Sequence, residues 1–135
     1  MKPCILLIED DGDMRDLVAG HLEHGGFDVQ RADDGIKGQA LALQYSPDLI
    51  LLDLMLPKVD GLQVLRHIKS SPVAKFIPVV ILTSSREDED MVDSYRLGVN
   101  SYLQKPVNFE QFRKMVKQLG LYWLVVNRLP SASAL

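Results

Sequence analysis

The 135-residue chain has little of what would announce a specialised class. It carries one cysteine, Cys4, so no internal disulfide can form, which fits a reducing compartment. Cys4 lies in the first apolar run and reads as a small core residue. Charge of one sign is also scarce. A net charge of −3 with 24% charged residues gives no electrostatic reason to bind nucleic acid or an anionic membrane. No apolar run approaches the length of a membrane span, and "MKPCILLIEDD" lacks the apolar length and small-residue cleavage pattern of a signal peptide. A cytoplasmic protein without nucleic-acid or membrane partners is therefore expected. GxxxxGK[ST] and GxGxxG are both missing, so nucleotide binding has no support. No linker or low-complexity stretch divides the chain, and one domain is expected over residues 1–128, with a short tail over 129–135.

Five short apolar runs are present: Cys4 to Ile8, Phe27 to Ala32, Leu49 to Asp53, Val79 to Thr83 and Ser101 to Lys105. The first, third and fourth are continuously apolar, as strands covered on both faces must be, while the second alternates like an edge strand. Between them run helical patterns. Met14, Leu17, Val18 and Leu22 form one stripe that Gly25 and Gly26 end, and Leu62, Leu65 and Ile68 form another. Ser85 with Asp88 resembles a capping box opening a helix with Met91, Val92 and Tyr95, and Phe109, Phe112, Val116 and Leu119 begin the last. Alternation of strand and helix five times predicts an α/β fold, a doubly wound five-stranded parallel sheet with helices on both faces.

The stretch "DLILLDLMLPKVDG", Asp48 to Gly61, poses a physical question, because Asp53 closes an apolar run. Burying an unpaired carboxylate costs several kcal/mol or more, so Asp53 must reach solvent or meet a cation. Glu9 and Asp10 follow the first strand, Thr83 ends the fourth and Lys105 the fifth, which places all five polar residues at the carboxyl edge of the sheet. Ligand sites in open α/β sheets form at that edge. Singly, each residue has a plainer role, as a helix cap, a strand threonine or a solvated lysine. Together, carboxylates within a few ångströms repel unless a divalent cation holds them, and an oxygen-only set with few protein ligands suits Mg2+. A cation and a lysine beside a free carboxylate suit phosphoryl transfer, with Asp53 as nucleophile.

The acidic "EDD" after the first strand, "LLDLMLPKVDG" around Asp53, "VVILTSS" through Thr83 and "SYLQKP" with Lys105 and Pro106 resemble, as an ordered set, the receiver domain of two-component response regulators. The resemblance covers about Cys4 to Leu119. It implies a flavodoxin-like fold with strand order 2-1-3-4-5 and a phosphoacceptor that catalyses only its own phosphorylation and dephosphorylation. By the resemblance Asp53 accepts phosphate, Asp10, Asp53 and the Met55 backbone carbonyl hold Mg2+ with Glu9 assisting through water, Lys105 and Thr83 contact the phosphoryl oxygens, and Tyr102 is the switch residue that follows Thr83. It also implies a cis Lys105–Pro106 bond and a sensor histidine kinase as partner. The stretch "GVNSYLQKPVNFEQF" and the apolar ending after it are similar to stand-alone receivers of the phytochrome-associated type. Met55 and Ser85 lie where the family influences the access of water to the acyl phosphate, and an apolar Met55 implies a long phosphorylated lifetime.

An alternative class, an aspartyl-nucleophile phosphohydrolase, commonly needs a second aspartate two residues past the nucleophile, where this chain has Met55. A receiver-like domain that no longer accepts phosphate predicts a damaged acidic pocket, and this one is intact. His21 and His24 sit one turn apart without a third ligand nearby, His67 is unremarkable, and "REDED" from Arg86 to Asp90 suits an acidic helix N-terminus. Apolar surplus from Leu119 to Val126, with Tyr122 and Trp123, exceeds what one helix face hides. It predicts a homodimer built on the fourth helix, the fifth strand and an extended fifth helix.

Overall fold

The computed structural model describes residues 2–56 and 60–118. Five strands alternate with five helices: β1 (Cys4–Ile8), α1 (Gly12–His24), β2 (Asp28–Ala32), α2 (Gly35–Tyr45), β3 (Leu49–Asp53), α3 (Gly61–Ser70), β4 (Val79–Thr83), α4 (Arg86–Ser94), β5 (Ser101–Gln104) and α5 (Phe109–Gln118). All strand pairs are parallel, in the order β2-β1-β3-β4-β5. The chain therefore reverses its winding between β1 and β3, which opens a crevice at their carboxyl ends.

Strand pleating sends alternate side chains to opposite faces, and each face acquires its own core. Ile5, Leu7, Leu49, Leu51, Val80 and Leu82 pack with buried residues of α1 and α5. There Phe27 and Phe112 meet edge to face, with ring centroids 5.6 Å apart. Leu6, Ile8, Ile50, Leu52, Val79 and Ile81 pack on the other face against α2, α3 and α4. The central strands β3 and β4 are buried along their whole length, as their uninterrupted apolar sequence requires.

Each helix starts on a polar cap at the carboxyl edge. Side chains of Asp11, Asp34, Asp60, Ser85 and Asn108 accept from the N–H groups of Met14, Lys37, Gln63, Asp88 and Gln111, satisfying donors that the first turn leaves open.

Four expectations shift. Phe27 precedes β2 as a buried core residue, and Lys105 follows β5. Leu17 is 52% exposed, so Val18, Ala19 and Leu22 form the buried side of α1. On α4 only Val92 is buried, leaving Met91 and Tyr95 exposed. The expected extension of α5 through Leu119, Trp123 and Val126 and the tail from 129 lie outside the described residues.

Candidate phosphoacceptor site

Register brings the acidic residues together. Ile8 pairs with Leu52 across the β1/β3 ladder, so Glu9 emerges beside Asp53, and Asp10 follows it into the loop. Asp53 pairs with Leu82, which sets Thr83 one step further along the neighbouring strand. The Lys105 N–H donates to the Thr83 carbonyl at 2.8 Å, so the lysine leaves β5 beside the same edge. Carboxylate oxygens of Glu9, Asp10 and Asp53 lie within 4.8 Å of one another, and Lys105 Nζ sits 3.0 Å from Asp53 Oδ1 and 3.1 Å from Glu9 Oε1. The Lys105–Pro106 bond is cis.

Three of these polar side chains are almost wholly withdrawn from water, namely Glu9, Asp53 and Thr83, whereas Asp10 is exposed and Lys105 half-buried. Charge and burial set the protonation of the group. Glu9 is pushed up to about 8, first by desolvation and then by the neighbouring Asp53 carboxylate, against the pull of Lys105. Burial alone would lower Lys105, but the neighbouring carboxyl groups of Asp53 and Glu9 outweigh it and hold the ammonium above its ordinary range. Both Glu9 carboxylate oxygens lack a hydrogen-bond partner despite the nearby ammonium. Buried carboxylate oxygens left in this way fit a hard cation, which would replace the proton that Glu9 otherwise retains.

Other sequence-designated residues take different positions. The Met55 N–H donates to Asp53 Oδ1 at 3.3 Å while its side chain is 70% exposed, so an apolar group stands at the mouth of the site. The Thr83 hydroxyl donates not into the carboxylate cluster but to Glu89 Oε2 on α4, at 3.5 Å. Tyr102 OH donates to Asp93 Oδ1, and the phenol is raised above its ordinary 10.0 by burial, by that bond and by the charges of Asp93, Glu89 and Asp90. His21, His24 and His67 join no group of three metal-ligating side chains among the described residues.

Two participants were not legible beforehand. Arg15 Nη1 donates to the carbonyls of Glu9 at 2.9 Å and Asp10 at 3.4 Å, pinning the loop that carries both carboxylates. Glu89, read only as part of an acidic helix start, also accepts from Gln104 Nε2 at 3.0 Å. Both contacts join different elements, and no short-range pattern signals them.

A family model described as the response regulator receiver domain matches residues 5–117. The chain belongs to that family. This receiver is thus a phosphoacceptor module of two-component signalling. Among curated proteins it is 47% identical over 117 residues to RpaA of Synechocystis sp., a DNA-binding dual master transcriptional regulator, covering 87% of this chain and 48% of RpaA. It is 41% identical to the response regulator Rcp1 of Synechocystis sp., covering 95% of this chain and 93% of Rcp1. The receiver therefore spans about half the length of RpaA and most of Rcp1. Among solved structures it resembles the bacteriophytochrome response regulators AtBRR, with a TM-score of 0.81, 42% identity and coverage of 91% and 96%, and RtBRR, with 0.83, 41%, 99% and 88%. The receiver domain of the sensor kinase PA1611 from Pseudomonas aeruginosa PAO1, 29% identical with a TM-score of 0.79 and coverage of 89% and 99%, carries a magnesium ion in its active-site cleft. No helix among the described residues is long and apolar enough to cross a membrane.

Proposed function

We propose that this receiver accepts a phosphoryl group on Asp53 from the phosphohistidine of a sensor kinase, using Mg2+ held by Glu9, Asp10, Asp53 and the Met55 backbone carbonyl. The observation that carries the reading is the convergence of three carboxylates within 4.8 Å on a half-buried lysine, with two Glu9 oxygens unsatisfied. When bound, Mg2+ supplies positive charge that offsets the repulsion between an anionic nucleophile and an anionic donor. An Asp53 oxygen attacks phosphorus as the P–N bond of phosphohistidine breaks, and the imidazole leaves with the bonding pair. Lys105 stays within reach of the new acyl phosphate and stabilises its oxygens as a fixed cation. The Thr83 hydroxyl turns to donate to one of them, and the same residues serve the later attack of water, so the protein catalyses only its own phosphorylation and dephosphorylation. Met55 stands over the mouth as an apolar obstacle to that water, prolonging the phosphorylated state.

Similarity to bacteriophytochrome response regulators supports a kinase of the phytochrome class as donor. Output passes through the surface of α4, β5 and α5, where Tyr102 joins α4 to the sheet, and a second copy of the chain is the partner it engages.

Acetyl phosphate with Mg2+ is expected to add one phosphoryl group to the intact mass. Asp53→Asn and excess chelator should each prevent it. Labelling that persists in either case rules the assignment out.

A further inference from the structure

A threonine hydroxyl has one proton to donate, and here that proton is already engaged. Thr83 is 1% exposed, and Oγ1 donates to Glu89 Oε2 at 3.5 Å. The same Glu89 oxygen accepts from Gln104 Nε2 at 3.0 Å, and Gln104 is the register partner of Thr83 on β5. One turn further along α4, on the same face, Asp93 accepts from Tyr102 OH, two residues before Gln104. Two carboxylates of α4, spaced i and i+4, thus hold β4 and β5 by side-chain bonds alone. The first of them occupies the hydroxyl that a phosphorylated Asp53 requires.

We infer that Glu89 is a positioning residue that competes with the phosphoryl group for the Thr83 hydroxyl and so holds the receiver in its unphosphorylated arrangement. The inference rests on the reading of Asp53 as acceptor. A hydroxyl cannot donate to Glu89 and to a phosphoryl oxygen at once, so every molecule that makes the second bond loses the first. The free energy of the Thr83–Glu89 contact is then subtracted from the apparent affinity for the phosphoryl group, as for any ligand that selects the less populated of two states. Release of Thr83 leaves Glu89 with Gln104 as its remaining bond to the sheet, loosening the first turn of α4. Glu89 is therefore where events at Asp53 first reach the helix that carries exposed Met91 and Tyr95.

Beryllofluoride, a tetrahedral stand-in for the phosphoryl group, allows the competition to be measured at equilibrium by titration calorimetry in saturating Mg2+. Glu89→Ala is expected to tighten apparent binding on the order of 3- to 10-fold, less than a short charged hydrogen bond would produce because the contact is 3.5 Å long. Glu89→Gln, which keeps an acceptor oxygen without its charge, should fall between Glu89→Ala and the native protein. The decisive arm is Thr83→Val, which keeps the side-chain shape but removes the donor. In that background Glu89→Ala should change binding by less than about 1.5-fold, because the two side chains act as one unit. An equal gain in both backgrounds, no gain, or weaker binding by Glu89→Ala overturns the inference. Failure of the native protein to bind beryllofluoride, or binding that survives Asp53→Asn, removes the acceptor reading and the competition with it. Melting curves of all variants without Mg2+ should superimpose within a few degrees, and a folding defect in Glu89→Ala transfers the comparison to Glu89→Gln.

Discussion

Glu9 is the residue on which charge and burial meet. Its folded-state pKa of about 8 lies above the ordinary 4.5, so between these values the folded chain without Mg2+ keeps a proton that the unfolded chain has released. Stability from this group is fully present below the lower value and is lost as pH rises through about 8. In chelator, the melting temperature of the native protein should fall more steeply from about pH 5 to about pH 8 than that of Glu9→Gln, which cannot titrate. Saturating Mg2+ should stabilise the native protein more at the upper pH, where no proton competes for the carboxylate, and should stabilise Glu9→Gln less. Equal pH slopes for the two proteins in chelator would show that Glu9 does not hold that proton.

At the scale of the element, glycine marks where α3 meets the end of β3. A Cβ built on Gly61 would lie 2.6 Å from the Leu54 carbonyl oxygen and 2.7 Å from that of Asp53, both backbone atoms that cannot swing away. The Gly61 N–H donates to the same Leu54 carbonyl at 3.0 Å, with Asp60 capping the helix. Gly61→Ala should therefore destabilise by about 1–3 kcal/mol in urea denaturation and weaken Mg2+ binding, since the backbone that must yield carries Asp53. Gly20, on the exposed side of α1, would meet nothing within 4 Å, so Gly20→Ala should stabilise by about 0.5–1 kcal/mol. The opposite signs separate close approach from helix propensity, and a stabilised Gly61→Ala would contradict the packing described between α3 and β3.

For the whole molecule, polar side chains join the site at one edge to α4, alongside the ladder that joins it to β5. Thr83, Glu89 and Gln104 form one link, and Asp93 with Tyr102 the other. Met91 is 39% and Tyr95 48% exposed on α4, and the apolar residues from Leu119 to Val126 come after α5 in sequence. An apolar surplus of this size in the sequence favours association. Light scattering at micromolar concentration should detect a dimer, and Tyr122→Ala combined with Trp123→Ala should weaken it by ~2 kcal/mol or more while leaving phosphorylation of Asp53 intact. A monomer at every concentration, with and without beryllofluoride, would reject the dimer.

By itself the sequence determined the five alternations, the strand ends within a residue, the cap Ser85, and the carboxyl-edge placement of Glu9, Asp10, Asp53, Thr83 and Lys105. These features are legible because they rest on periodicity, on local capping chemistry and on the rule that a parallel sheet presents its strand ends at one edge. Stripe membership was less legible. Leu17 fits the helical period yet faces water, because the sheet covers only part of the surface of α1. Beyond the meeting of Lys105 with Asp53, side-chain partnerships between elements were not legible. Arg15 holding the Glu9 carbonyl, Glu89 holding Thr83, and Asp93 holding Tyr102 each join groups from separate elements. Only tertiary structure decided them, because a polar side chain takes the partner that register and helix docking bring within about 3 Å, and neither propensity nor spacing along the chain encodes that distance.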